Sequence, residues 1–283
     1  MAAMAPRAGI IGWPVTHSRS PMLHGYWLRK YGINGSYERI PIAPENFAAD
    51  FRALPSRGYI GANVTIPHKQ AAMNCCDELD SNAQRLGAVN TIVIKDGCFY
   101  GSNTDGFGFM ENLRQGAPDW KPHAGPAVII GAGGAARAVI AALCDAGVKE
   151  IHLFNRTRAR ADQIAADLGG SIVTGDWSGL QHALSDCGLL VNCSSLGMAG
   201  QPPLEISLQA LPPSAYVTDL VYTPLLTPLL IAAAARGNPT IDGLGMLLHQ
   251  ARPGFAAWFG IMPEVDETLR NLLLRDIEGA KGE

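Results

Sequence analysis

Residues 127–143 read AVIIGAGGAARAVIAAL: a short apolar run, a glycine-rich turn, then an alanine-rich stretch with helical character. The run is too short for a buried helix and suits a strand buried on both faces, so the segment predicts strand, tight turn and helix in succession. Gly131, Gly133 and Ala136 match G-x-G-x-x-A. In that arrangement Gly131 permits the turn, and Gly133 lets the backbone approach a pyrophosphate. The helix beginning at Gly134 and Ala135 offers uncommitted N–H groups and the positive end of its dipole. A glycine pattern alone is weak; with a strand before it and a helix after it, it predicts a dinucleotide site.

The rest of the chain fits that unit. After Ala127, strand-like runs recur at Ala127–Ile130, Ile151–Phe154, Ser171–Thr174, Leu189–Cys193, Tyr216–Leu220 and Thr240–Asp242, mostly separated by helical stretches. Six such strands predict a doubly wound, Rossmann-type parallel sheet. Before it, strands at Ala8–Gly12, Ser36–Ile42 and Tyr59–Ile66 alternate with helices at Pro21–Tyr31 and Pro44–Leu54. This predicts a second α/β sheet, mainly parallel, with an antiparallel edge added by a hairpin that turns at Asp96-Gly97.

Residues 114–126, RQGAPDWKPHAGP, carry three prolines and two glycines without strand or helix period and suit a domain junction. The segment LGMLLHQARPGFAAWFGIM, after Gly243, has too much apolar surface to stand free and is expected to pack back on the first domain. The expected organisation is therefore a discontinuous substrate domain, 1–113 plus 244–283, and a nucleotide domain, 114–243.

The strand after the glycine loop selects the cofactor. An NAD site usually ends that strand with Asp or Glu, which accepts bonds from the ribose diol. Here IHLF is followed by Asn155, Arg156 and Thr157, with Arg158 and Arg160 just beyond. No carboxylate repels a 2′-phosphate, and guanidinium groups bind one through charge-assisted bonds, so NADP is expected.

Composition narrows the partners. Twenty-two basic against 25 acidic residues give a net charge of −3, with no basic run to track a phosphate backbone, so nucleic acid is not expected. MAAMAPRAGIIG has no apolar stretch of the length a signal peptide or membrane span requires, which reads as a cytoplasmic protein without a membrane partner. The six cysteines show no CxxC spacing and the seven histidines no HExxH, so no metal site is expected.

A nicotinamide cofactor needs a proton donor or acceptor beside the reacting carbon. Lys69 follows a strand closed by Pro67, and Asp105 stands in GSNTDGFG just before a helix. Each alone has a plain reading, since most lysines are solvated and an Asp in such a turn commonly caps a helix.

The combination is more specific. IGWPVTHSRSPMLH, GANVTIPHK, GAVNT, GSNTDG, GAGGAARA, NRT, NCSSLGM, DLVYTPLLTPLL and DGLGMLLHQA follow one another in an order and spacing that resemble shikimate dehydrogenases, over about Gly9 to Ala251. The resemblance implies NADP-dependent, reversible reduction of 3-dehydroshikimate to shikimate, in aromatic amino-acid biosynthesis. It assigns the substrate carboxylate to Ser18 and Ser20, the substrate hydroxyls to Asn63, Thr65, Asn90 and Gln250, and the catalytic pair to Lys69 and Asp105. Tyr222 is implied near substrate and nicotinamide. Gly243, Met246 and Ser194 join Gly131, Gly133, Gly134, Ala135, Asn155, Arg156, Thr157 and Arg160 on the cofactor side.

Ser20, before Pro21, also suits a helix cap, a role that Ser20 can fill while Ser18 binds ligand. The sequence departs from the family's usual pattern at Trp13 and Gly25, where Asn is frequent, and at Cys193-Ser194, where Ala-Thr is usual. A quinate or dual quinate/shikimate enzyme is the alternative. Such relatives tend to carry an acidic residue at the position of Asn155 and often Thr at that of Ser20, so both residues here favour NADP and shikimate. A monomer or homodimer acting on a small molecule is expected.

Overall fold

The structure is a computed structural model, described here for residues 5–279. Its contacts divide the chain into two units, one running to Thr104 and resuming at Gln250, the other spanning Asp105–His249. The sequence reading set these seams at 113/114 and 243/244.

The first unit opens with β1 (Arg7–Gly12), α1 (Ser20–Lys30), β2 (Ser36–Pro41), α2 (Phe47–Arg52) and β3 (Tyr59–Val64). It continues through α3 (Lys69–Cys75), β4 (Glu78–Leu79), α4 (Ser81–Leu86), β5 (Thr91–Lys95) and β6 (Cys98–Ser102). The strands form one sheet in the order β2-β1-β3-β5-β6-β4. The first three are parallel, while β5 runs antiparallel to both β3 and β6. Asp96 and Gly97 take φ of 52° and 79°, the pair of positive values that a two-residue hairpin needs.

That hairpin is not the edge of the sheet. The two-residue strand β4 pairs beyond it, parallel to β6, a position the sequence pattern did not mark. The helix expected over Pro44–Leu54 is also shorter, a 3₁₀ turn at Pro44–Asn46 followed by α2. One face of the sheet buries Ile11, Ile40, Phe51, Val64, Ile92 and Phe99 in a common core.

The second unit holds α5 (Asp105–Gly116), β7 (Ala127–Ile130), α6 (Gly134–Asp145), β8 (Ile151–Phe154), α7 (Arg158–Leu168), β9 (Ile172–Gly175) and α8 (Leu180–Ala183). It ends with β10 (Leu189–Asn192), β11 (Tyr216–Asp219), α9 (Pro228–Ala235), β12 (Thr240–Ile241) and most of α10 (Leu244–Gln250). Its sheet runs β12-β11-β10-β7-β8-β9, every pair parallel. This is the doubly wound order expected. Every residue of β7 and β10 is buried, as central strands covered on both faces require. Helix α6 buries Ala136, Val139, Ile140 and Leu143, the i, i+3, i+4, i+7 stripe of an amphipathic helix.

Helices α11 (Arg252–Phe259) and α12 (Glu267–Gly279) return to the first unit. The indole of Trp258 on α11 donates to the carbonyl of Ile92 at 2.9 Å. A side chain at Gly61 would collide with that indole, so glycine there admits the helix.

Candidate active site

In the first unit, Ser18 and Ser20 end the connection from β1 to α1. Ser20 is the first residue of α1 and does not cap it: the cap position is Arg19, with no side-chain bond to the helix. Instead the Ser18 hydroxyl accepts from the Ser20 amide at 3.3 Å. The capping expectation for Ser20 therefore fails, because the helix begins one residue earlier than Pro21 and takes Ser20 into its first turn. Thr65 is half-buried just past β3, its amide donating to Ile11 at 2.9 Å and its carbonyl accepting from His68 at 2.9 Å. Lys69 opens α3, half-buried, and its carbonyl accepts from Val89 at 2.9 Å.

Asn63 and Asn90 belong to a buried polar network. The Tyr37 hydroxyl donates to Asn63 Oδ1 at 2.7 Å. Asn63 Nδ2 donates to the Asn90 carbonyl at 3.2 Å and to Thr91 Oγ1 at 3.1 Å. Thr91 Oγ1 donates to Asn90 Oδ1 at 3.0 Å, which also accepts from the Thr104 amide at 2.9 Å. The Thr104 hydroxyl donates to the Gln250 carbonyl at 2.8 Å, so residues at both seams are fastened within this unit. All members but Gln250 are buried, and each buried polar group unmet in such a place costs about 1–3 kcal/mol, so the network fixes its side chains closely.

In the second unit, Asp105 is the first residue of α5 and is buried. Tyr222 is half-buried on the loop after β11. Beneath that loop lies Asp219, fully buried, accepting from Asn192 Nδ2 at 2.9 Å, the Val221 amide at 3.0 Å and the Thr227 hydroxyl at 2.7 Å. Burial raises its carboxyl above the usual carboxylate range, against the pull of these donors. Met246, half-buried, packs on the hydrophobic core of this unit. Buried Gly243 sits so close to the Leu220 carbonyl that no side chain fits.

The glycine loop follows β7. Gly131 has φ of +105°, and a Cβ there would meet the Ser194 nitrogen at 2.9 Å. Gly133 and Gly134 are exposed, and a Cβ on either would meet nothing within 4 Å. Helix α6 starts at Gly134, next to Ala135, with no side-chain cap on its first amides. Open space, bare backbone and an uncapped helix start are what a dinucleotide pyrophosphate needs. Ser194 spends its hydroxyl proton on Asn192 Oδ1, at 2.7 Å.

At the end of β8, Asn155 Nδ2 donates to the Thr157 carbonyl at 2.8 Å, shaping the turn. Arg158 is engaged with Asp176 at 2.9 Å and Asp162 at 3.4 Å. Arg156 and Arg160, both exposed, enter no ion pair with described residues. The residues therefore fit a nucleotide carrying an extra phosphate. Among the described residues, no cluster of three or more His, Cys, Asp or Glu could hold a metal ion, and no helix is long and apolar enough to cross a membrane.

The sequence reading missed Tyr37, Thr91, Thr104, Asn192 and Asp219. Thr91 and Thr104 adjoin residues it singled out, and Asp219 sits in DLVY, a carboxylate ending an apolar strand. Tyr37, in the edge strand, carries no local signal.

Two family models match the chain: the shikimate dehydrogenase substrate binding domain over residues 10–92, and shikimate / quinate 5-dehydrogenase over 120–197. The chain is 57% identical over 275 residues to the shikimate dehydrogenase (NADP(+)) of Paramagnetospirillum magneticum, covering 97% of this chain and 100% of the relative. Among solved structures, it resembles the Thermus thermophilus shikimate 5-dehydrogenase in complex with NADP(H) and shikimate, with a TM-score of 0.84 and 36% identity over 96% of this chain and 99% of that one. It also resembles a quinate dehydrogenase of Corynebacterium glutamicum in complex with NAD, with a TM-score of 0.87 and 32% identity over 96% and 99%. From these matches along almost its whole length, the chain belongs to the shikimate dehydrogenase family.

Proposed function

We propose that this protein catalyses the NADP-dependent, reversible reduction of 3-dehydroshikimate to shikimate, a step of aromatic amino-acid biosynthesis. The observation that carries the reading, beside the full-length family match, is the end of β8, where Asn155 stands in place of the acidic residue that binds a ribose diol and Arg156 and Arg160 are exposed just beyond it. The first unit supplies the substrate groups: Ser18 and Ser20 for the carboxylate, and Asn63, Thr65, Asn90 and Gln250 for the hydroxyls. Tyr222 completes the substrate set. Gly131, Gly133, Gly134 and Ala135 hold the pyrophosphate, Asn155, Arg156, Thr157 and Arg160 the 2′-phosphoribose, and Ser194, Gly243 and Met246 the nicotinamide side.

When bound, the dinucleotide supplies the hydride. Reduction of the C3 ketone leaves an alkoxide, and the Nζ ammonium of Lys69 donates the proton and stabilises the developing charge. Asp105 is the second member of the catalytic pair and hydrogen-bonds the substrate. We place this activity in the cytoplasm, on a monomer or homodimer, with a small molecule as its partner and neither nucleic acid nor a membrane.

A quinate-preferring enzyme is the second reading, favoured by the likeness to the Corynebacterium protein. Ser20 and Asn155 argue against it. Oxidation of shikimate and of quinate with NADP and with NAD, followed by absorbance of the reduced nicotinamide, separates the two. The proposal requires the shikimate–NADP pair to lead, and a lead for quinate with NAD overturns it.

A further inference from the structure

The side chain of Tyr37 leaves the edge strand β2 and crosses β1 to reach β3. Ala8 pairs with both Tyr37 and Gly61, and Ile10 pairs with Asn63, so Tyr37 and Asn63 share a face two residues apart in register. The small Ala8 leaves room for the crossing. His24 stacks on the phenol with centroids 3.9 Å apart and planes at 6°, and Trp258 lies 6.0 Å away. The ring is held on two strands' worth of neighbours, and its hydroxyl has little freedom.

The hydrogen-bond directions then follow without ambiguity. The Asn90 carbonyl only accepts, so the Asn63 atom facing it is the amide nitrogen. The opposite atom, facing Tyr37, is the oxygen, so the phenol is the donor. Burial pushes the Tyr37 phenol well above its ordinary range, which keeps that proton in place. Both amide protons of Asn63 are committed, to Asn90 and Thr91. What the side chain has left is one lone pair on Oδ1.

We propose that Tyr37 is a positioning residue for substrate binding: its hydroxyl locks the Asn63 amide so that Asn63 meets a shikimate hydroxyl as an acceptor, through the remaining lone pair of Oδ1. The assignment rests on the shikimate site proposed above. It also sets a specificity rule. A substrate analogue bearing a hydroxyl that donates at this point is bound, and its O-methyl ether is disfavoured, because an ether oxygen faces an acceptor without a proton between them.

The test compares wild type, Tyr37→Phe, Asn63→Ala and the double variant by steady-state kinetics with shikimate and NADP. Tyr37→Phe should raise the KM for shikimate roughly five- to tenfold, with kcat within about twofold and the KM for NADP unchanged. In the Asn63→Ala background the same substitution should add nothing, since the group it positions is gone. Thr91→Val, which removes a second side-chain fastening of the amide, should reproduce the shikimate-selective rise and carries the test if Tyr37→Phe does not fold. An unchanged KM, additive effects in the double variant, or parallel changes in kcat and NADP affinity overturn the assignment. A wild type that does not turn over shikimate overturns the site reading itself, which separates the two failures.

Discussion

The carbonyl of Lys69 accepts from the amide of Val89 at 2.9 Å, which ties the first residue of α3 to the residue preceding Asn90. The main chain at Lys69 is thereby anchored beside the network of Asn63, Asn90 and Thr104, while its long side chain serves the proton transfer proposed. Lys69→Ala should lower kcat by roughly 10²–10⁴-fold, the usual worth of a placed proton donor, with shikimate affinity changed far less. Single-turnover kinetics beside a binding titration checks this; an unimpaired kcat removes Lys69 from the mechanism.

The glycine loop separates a glycine that the fold needs from one that the proposed pyrophosphate site needs. At Gly131 the φ of +105° and the Ser194 nitrogen 2.9 Å from a Cβ make Gly131→Ala destabilising, by about 1–3 kcal/mol from the backbone conformation alone. At Gly133 the φ is −99° and the space around a Cβ is open. Gly133→Ala should therefore keep stability within about 1 kcal/mol of wild type while raising the KM for NADP roughly tenfold or more. Denaturant unfolding and kinetics on both variants decide it, and a Gly133→Ala protein with intact NADP affinity contradicts the pyrophosphate assignment.

Arg156 and Arg160 should act on NADP and not on NAD. Each charge-assisted bond to a phosphate is worth about 1.5–3 kcal/mol, so replacing both by Ala should raise the KM for NADP by at least roughly tenfold and leave that for NAD nearly unchanged. The wild-type NADP affinity should also weaken with added salt, since both side chains are exposed. Equal losses for the two cofactors show that these arginines do not read the 2′-phosphate.

His24 sets an acid limb of stability. It is fully buried, and its ring nitrogens have no hydrogen-bond partner among the described residues. Burial lowers its pKa from 6.5 to about 3. Between these values the unfolded chain takes up a proton that the folded protein refuses, so stability falls as pH drops, by up to ~1.4 kcal/mol per unit. His24→Phe should flatten that limb, reducing the loss between pH 7 and pH 5 by up to about 2 kcal/mol. The raised Asp219 carboxyl has the opposite slope, stability rising as pH falls, but it is present in both proteins and cancels in the comparison. Urea unfolding at the two pH values reads the difference, and parallel curves contradict it.

Much of this was legible in the sequence where the signal is local. Ala127–Ile130 and Leu189–Asn192 are continuous apolar runs because both faces are covered, and Asp96-Gly97 takes the dihedral angles its turn demands. The strand β4 escaped because it is two residues long, with no alternation, and is pinned by its flanks: the amides of Asp77 and Asp80 donate to Phe99 and Gly101 at 2.9 Å each. The Ser20 cap was misread because Ser-Pro marks a helix start equally well when the serine is already inside the first turn. Tyr37 escaped for a different reason. Its contact with Asn63 spans three strands and 26 residues, and no spacing rule within one strand can announce it.

The proposed NADP-selective shikimate dehydrogenase activity rests on Lys69, Asp105 and the arginines after β8. The most direct measurement is kcat/KM for the four pairings of shikimate or quinate with NADP or NAD, on purified protein. The account predicts that shikimate with NADP exceeds each other pairing by at least roughly tenfold. Equal turnover with NAD, or preference for quinate, would contradict it.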